Sequence, residues 1–528
     1  MPTDKVLGHV VTVTGAQITV AFGAGGAQQW IRIGDMVKVD NADHTVVGTI
    51  AEVRFSDEAS ASARVFIVDL LGEIVARKGE RHFSRGVSLH PVPGDPVFAA
   101  DDADLDSIYD EPSPSSITVG SLHHDTSRPA CLLIDELLTK HFAVLGTTGS
   151  GKSCAITLIL KAVLQQHPNA HIVLFDPHNE YASAFGPRAE VISVDNLELP
   201  IWLFNLEELV NVLVRGGTNQ EQESQSIILK DAVIWARRHY AGDDYGLSSI
   251  TADTPVPFRV HELLRYINEE MGRVTKPDTS FPYLRLRTRI ESLRGDRRYG
   301  FLFSNEEDAL TQIIARLLRM PVEDKPMSIV DLSGVPSEIA DVLVSVLCRA
   351  VFDFSMWSRR DRMPPVLLVC EEAHRYVPAD PRVGFEETAR VITRVAKEGR
   401  KYGVSLALVS QRPSELSAPA LAQCGTVFAL RLGSDADQNF IARTVPDVAR
   451  GMLGALPSLP SQQAIISGEG VRVPMRIQFA DLPDDERPQS ASASFSEAWQ
   501  NDAADQWFIE DGVQRWRAQV KDDKRVAH

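Results

Sequence analysis

Residues 146–153 read GTTGSGKS, a complete GxxxxGK[ST] pattern. The apolar run FAVL precedes it and CAITLILKAVL follows, so a short strand should enter a glycine-rich turn that opens a helix. Gly146, Gly149 and Gly151 let the backbone turn tightly and point N–H groups inward. With the helix N-terminus, these groups cradle phosphate oxygens. Thr147, Thr148, Ser150 and Cys154 complete the expected ATP-binding segment. Lys152 is expected to reach the β- and γ-phosphates and Ser153 to ligate Mg²⁺.

A second chemical group lies about 220 residues downstream, in VLLVCEEAH (366–374). Its five apolar residues predict a buried strand with two carboxylates at the C-terminal end, where α/β sheets place ligands. Glu371 fits the acid on the Mg²⁺ side. Glu372 fits the base that orients or activates the attacking water. An acid of this kind implies an ATPase rather than a kinase. Strand VSLALVS ends at Gln411, in SQRP, where a polar side chain could sense the γ-phosphate. FDPHNEY offers Asp176 and Glu180 at another strand end, either to support metal or water or to cap the following helix. In ETARVITRVAKEGRKYG, Arg390, Arg394 and Lys397 form a helical stripe and Arg400 ends the helix. Arg400 is the first candidate for an arginine that neutralises transition-state charge, with Arg394, Arg412 and Arg431 behind it. The competing reading of Arg400 is a charge that complements a helix C-terminus. The near-match TKPD (275–278) to a guanine-specificity motif does not follow a strand, so ATP is the expected nucleotide.

These groups need a scaffold. Residues 1–100 hold short β-rich segments separated by Gly, Asp and Asn, the pattern of a small N-terminal β-barrel. Residues 101–116 are acidic and proline-containing and read as a linker. Residues 117–204 alternate strand and helix, 205–325 are helix-periodic, and 326–480 resume the α/β pattern. The fold class is therefore α/β: a RecA-like P-loop core split by a helical-bundle insertion. The tail, 481–528, begins as a flexible segment. It ends with three tryptophans at helical spacing, which should dock on the body or on a neighbouring subunit.

The chain of 528 residues carries a net charge of −17, so its whole surface is poorly suited to coat nucleic acid. Residues 273–300 nevertheless hold eight Arg/Lys against three Asp/Glu. They form either a solvated helix face or a phosphate-contact surface. The N-terminus shows no export signal and no apolar run reaches membrane-span length, so a cytoplasmic location is expected. The five cysteines lack metal spacing and read as buried free thiols.

Taken together, GTTGSGKS, FDPHNEY, CEEAHRYVP, AKEGRKYG and SQRPSEL, behind a barrel and a histidine just before the P-loop strand, resemble the HerA family. These are hexameric DNA-translocating ATPases on the same branch of RecA-like motors as the FtsK pumps. The resemblance spans about residues 5–480. It implies that Lys152 and Ser153 are the Walker A pair, Glu371 and Glu372 the Walker B acids and Gln411 the sensor. It places Arg400 in the segment associated with a trans arginine. It also implies a homohexameric ring around double-stranded DNA and a C-terminal segment that braces a neighbour. The partner it implies, docked on the N-terminal barrel, is a NurA-type nuclease or an antiviral effector that is sirtuin-like or nuclease-like. Family members often have Gly where this chain has Asn179; Asn tolerates the left-handed turn that Gly would take. A different class of reading is a nucleotide-gated scaffold that holds and switches an effector with little DNA movement. A conjugation or secretion motor would call for a membrane anchor, and the sequence shows none.

Overall fold

The computed structural model describes residues 6–22, 32–41, 44–55, 64–77, 80–109, 113, 115–242, 249–304, 306–380, 382–445, 450–489, 496, 499–500 and 506–518. The first seven strands are β1 (Val6–Val13), β2 (Gln17–Phe22), β3 (Met36–Asn41), β4 (His44–Phe55), β5 (Arg64–Arg77), β6 (Glu80–Arg85) and β7 (Pro96–Ala99). Six of them close a barrel in the order β1–β2–β5–β4–β3–β7, every pair antiparallel, with β6 added to β5 outside the ring. Closure removes the unpaired edges that so small a sheet would expose. The alternating residues Val10, Ile18, Val20, Val37, Val39, Val46, Ile50, Phe66 and Val68 fill its interior.

The stretch read as a linker is partly a helix, Asp102–Ile108. Asp101 caps it, accepting from the Asp104 N–H while the Asp104 carboxylate accepts from the Asp101 N–H. Asp104 is fully buried because Lys38 of β3, 2.8 Å away, and Arg81 of β6 neutralise it. Ile108 joins Met36, Val47, Leu71 and Ile74 of the barrel to Val473 of the core. The acidic composition that suggests a solvated linker is thus used up in a cap and an ion-pair cluster.

The second sheet has eleven strands: β8 (Ser116–Leu122), β9 (Pro129–Leu133), β10 (Phe142–Leu145), β11 (His171–Asp176), β12 (Ala189–Ile192), β13 (Met327–Asp331), β14 (Val366–Cys370), β15 (Val404–Ser410), β16 (Thr426–Ala429), β17 (Gln463–Gly468) and β18 (Met475–Phe479). Their order is β12–β13–β11–β14–β15–β10–β16–β17–β18–β8–β9. The run from β12 to β16 is parallel and the other four strands are antiparallel. The parallel strands read as unbroken apolar runs because both faces are covered. On one face Phe142, Val144, Ile172, Leu174, Leu367 and Val369 meet Ile156, Ile159, Leu160 and Val163 of helix Lys152–Gln166. On the other, Ala143, Leu145, Val173, Phe175, Leu368 and Cys370 join the core of the helical insertion.

That insertion comprises the helices Leu206–Leu213, Asn219–Ala241, Val260–Arg273, Pro277–Gly295 and Ala309–Leu318. Capping boxes start two of them, Asn205 with Glu208 and Thr218 with Glu221. The positive charge of 273–300 is partly paired, some of it with acids from elsewhere and some with the segment's own. Arg285 lies 3.6 Å from Glu221, Arg289 3.4 Å from Glu338, and Arg287 3.9 Å from Glu291. Four of the five cysteines are buried and none is in a disulfide. Among the described residues, no helix is long and apolar enough to cross a membrane.

The beginning of the tail departs from the sequence expectation. Residues 481–489 are not a loose segment: Leu482 is buried and Glu486 pairs with Lys161 at 2.6 Å. Further on, helix Gln506–Ala518 leaves Trp507 and Trp516 more than two-thirds exposed.

Candidate nucleotide site at the strand ends

The site forms where parallel strands end side by side. All three glycines of the loop after β10 are favoured by its geometry, Gly149 by its φ of +74°. Gly151 has φ +101°, and a Cβ there would stand 3.2 Å from the Gln462 nitrogen. A Cβ on Gly146 would lie 2.7 Å from Ser150 Oγ and 2.8 Å from Leu430 Cβ. The loop is held from outside: Thr147 N–H donates to the Arg431 carbonyl at 2.9 Å, and Gln462 N–H donates to the Ser150 carbonyl at 3.1 Å. Lys152 is buried, with Nζ donating to the Thr147 carbonyl at 3.2 Å. Ser153 Oγ donates to Glu180 Oε2 at 3.0 Å.

The carboxylates arrive from β14. Glu371 and Glu372 are both buried just past Cys370. Tyr181 OH donates to Glu371 Oε2 at 3.0 Å. Burial, reinforced by the Glu372 charge, pushes the Glu371 carboxyl up to about 8 against the pull of Lys152. Burial also lowers the Lys152 ammonium, opposed by Glu371, Glu372 and Glu180. Glu372 has φ +52°, a left-handed conformation that strains a non-glycine residue. Its Oε2 is buried and has no hydrogen-bond partner among the described residues, although His374 Nδ1 lies 3.3 Å away and His178 Nε2 lies 3.9 Å from Oε1. A crowded set of carboxylates with one orphaned oxygen suits a divalent cation and a water. Mg²⁺ therefore fits beside Ser153 and Glu371, where it would supply positive charge for the phosphates.

β15 separates the two halves, since the strand order is β14–β15–β10. Its tip carries Gln411, whose Oε1 accepts from Thr148 Oγ1 at 2.5 Å. The sensor candidate therefore touches the phosphate loop. Asp176 caps the turn after β11, accepting from His178 N–H at 3.1 Å and Tyr181 N–H at 3.0 Å. Of the two readings left open for Asp176 and Glu180, the geometry gives Asp176 the capping task and brings Glu180 to Ser153. Asn179 has φ +54°, the left-handed turn its side chain tolerates. The sequence reading passed over Tyr181 and His374. Both lie within the strand-end segments it quoted, and their polar type at a strand tip was the available signal.

The arginines separate. Arg431 reaches the loop, with Nη2 3.5 Å from the Gly149 carbonyl. Arg412 pairs with Glu415 at 2.9 Å. Arg394 stands 4.7 Å over the Phe352 ring. Arg400 precedes β15 while Gln411 follows it, so Arg400 lies at the other edge of the sheet, roughly 20 Å from its own phosphate loop at ~3.3 Å per residue. It borders a cavity of about 540 Å³ with Leu138, Val163 and Pro365.

Comparison with known proteins meets this geometry. Residues 117–351 match the family described as the helicase HerA central domain. A DNA double-strand break repair helicase HerA of Pyrococcus furiosus is 25% identical over 431 residues, 74% of each chain. A probable helicase of Methanocaldococcus jannaschii is 23% identical over 535 residues, 95% of each chain. Over these spans the chain is similar to the HerA family. Its HerA-type site is that of a P-loop ATPase. Among solved structures, VirB4 of Thermoanaerobacter pseudethanolicus shares the fold, with a TM-score of 0.50, 16% identity, and coverage of 71% of this chain and 98% of that one.

Proposed function

We propose that this HerA-like chain is the subunit of a homohexameric ring that couples ATP hydrolysis to movement along double-stranded DNA. The observation that carries the reading is the division of the site. Lys152, Ser153, Glu371, Glu372 and Gln411 converge at one edge of the sheet, while Arg400 stands at the opposite edge. An arginine there serves a neighbour's nucleotide, so hydrolysis requires assembly.

In this reading Lys152 and the loop N–H groups bind the β- and γ-phosphates. Ser153 and Glu371 would hold Mg²⁺, which supplies charge neutralisation at the phosphates. Glu372 orients the attacking water and takes its proton, with His374 and His178 holding the carboxylate in place. Gln411 reports the γ-phosphate to β15 and, through that strand, to the opposite edge where Arg400 sits. The tail beyond 489 braces a neighbouring subunit, which would cover Trp507 and Trp516. The barrel docks a nuclease or a defence effector that acts on the moved DNA. The relatives named as repair helicases support the DNA substrate.

The test is a mass measurement together with an ATPase assay. A six-fold mass and turnover stimulated by duplex DNA, weakening steeply with salt, support the reading. A monomer, or turnover indifferent to DNA, overturns it.

A further inference from the structure

β15 ends in Ser410, a buried serine where three parts of the site meet. Its carbonyl accepts from the Gly146 N–H at 3.2 Å, at the start of the phosphate loop. Its Oγ accepts from the Arg412 N–H at 3.1 Å, which closes the turn that presents Gln411. The same Oγ lies 3.2 Å from His374 Nδ1. That ring nitrogen also stands 3.3 Å from Glu372 Oε2. One imidazole nitrogen thus faces both a hydroxyl and the carboxylate expected to act as the base.

The protons decide which of the two contacts is a hydrogen bond. A hydroxyl has one proton to give and lone pairs that receive. Ser410 Oγ already receives the Arg412 N–H, and among the described residues His374 Nδ1 is the acceptor its own proton reaches. The Ser410 O–H therefore donates to Nδ1, which places the proton of the neutral ring on Nε2. With no proton between them, Nδ1 and Glu372 Oε2 form no hydrogen bond. Oε2 is accordingly the buried oxygen left without a partner among the described residues. The other tautomer carries its proton on Nδ1 and can give it to Oε2. A hydrogen bond donated to a carboxylate favours the charged form and so weakens it as a base. Ser410 and Glu372 compete for one ring nitrogen, and Ser410 holds it.

We propose that Ser410 is a positioning residue of the hydrolytic step: by occupying His374 Nδ1, it keeps Glu372 Oε2 open to the attacking water. This rests on the reading of Glu372 as the base. His374 then holds the carboxylate by contact without quenching it. Because Ser410 precedes Gln411, the strand tip that touches the phosphate loop also sets the readiness of the base.

The test is ATP hydrolysis by the full-length protein with duplex DNA present. Affinity for a non-hydrolysable ATP analogue is measured separately by calorimetric titration. Wild type is compared with Ser410→Ala, Ser410→Thr, His374→Ala and the double variant Ser410→Ala/His374→Ala. Ser410→Ala is expected to lower kcat roughly 10- to 100-fold while affinity stays within about threefold of wild type. Ser410→Thr, which keeps the hydroxyl, should recover part of the loss. His374→Ala alone should cost less than Ser410→Ala. Removing the ring as well should restore turnover, so the double variant is expected to be at least about threefold faster than Ser410→Ala. Unchanged kcat in Ser410→Ala would overturn the proposal. A double variant no faster than Ser410→Ala would also overturn it and trace the loss to the Arg412 N–H and the Gln411 turn. Affinity falling in parallel with kcat would show a structural role instead. Normal ATPase in Glu372→Gln would defeat the underlying base assignment separately, whatever the serine variants do.

Discussion

Gln411 and Thr148 are joined by a hydrogen bond of 2.5 Å, although 263 residues separate them. The bond links the tip of β15 to the phosphate loop, between the two halves of the hydrolytic site. Gln411→Ala should leave ATP affinity within about threefold of wild type while lowering kcat by roughly 10- to 100-fold. Single-turnover hydrolysis beside equilibrium binding separates the two effects. A change in affinity alone would remove the sensor role.

The two acids and the lysine have different expected phenotypes. Lys152→Ala should abolish ATP binding. Glu372→Gln should bind ATP and lose roughly 10²- to 10⁴-fold in turnover, the range for loss of a general base. Normal ATPase in Glu372→Gln would show that the carboxylate does no proton transfer.

Arg400 lies too far from its own loop to act within one chain, so its loss should be complemented between subunits. Arg400→Ala alone should be nearly inactive. Mixed with Lys152→Ala subunits, it should regain part of the wild-type ATPase. Full activity of Arg400→Ala alone would assign the residue to the helix end.

His141, just before β10, gives a pH prediction. Its Nδ1 accepts from the Leu406 N–H at 3.0 Å, which leaves the proton on Nε2 to donate to the Ala396 carbonyl at 3.0 Å. Burial holds its pKa below the ordinary 6.5. The neutral form is thus favoured in the folded state. Its contribution to stability is present above pH 6.5 and is lost as pH falls through the lowered value. Thermal unfolding between pH 5 and 7.5 should show this slope, and His141→Gln should flatten it.

Gly451 of helix Arg450–Leu453 packs against the barrel. A Cβ there would sit 2.5 Å from Ala51 Cβ and 2.8 Å from Asp69 Oδ2. Gly451→Ala should cost about 1–3 kcal/mol through overpacking. Limited proteolysis should then release the barrel faster than from wild type, and equal rates would show that the contact bears no strain.

Sequence legibility followed the range of the physics. A phosphate loop is a local object: left-handed glycines, a lysine and a helix start within eight residues. GTTGSGKS was therefore readable in place. The parallel strands were readable because two covered faces demand unbroken apolar runs such as VLLVC and VSLALVS. The helix within 101–116 was not legible because its acids look solvated until Lys38 and Arg81 are brought to Asp104. The basic segment 273–300 likewise appears unpaired until Glu221 and Glu338 arrive from other helices.

By itself, then, the sequence determined the P-loop motif, the α/β class with a barrel ahead of the core, and the resemblance to HerA. Each of these rests on residue type, short spacing or apolar periodicity. Only the tertiary structure decided that β15 stands between the lysine and the acids, that Arg400 lies at the far end of β15 from the phosphate loop, and that Gln489 returns to Glu180. Those relationships depend on strand order and on contacts hundreds of residues apart, which no local pattern encodes.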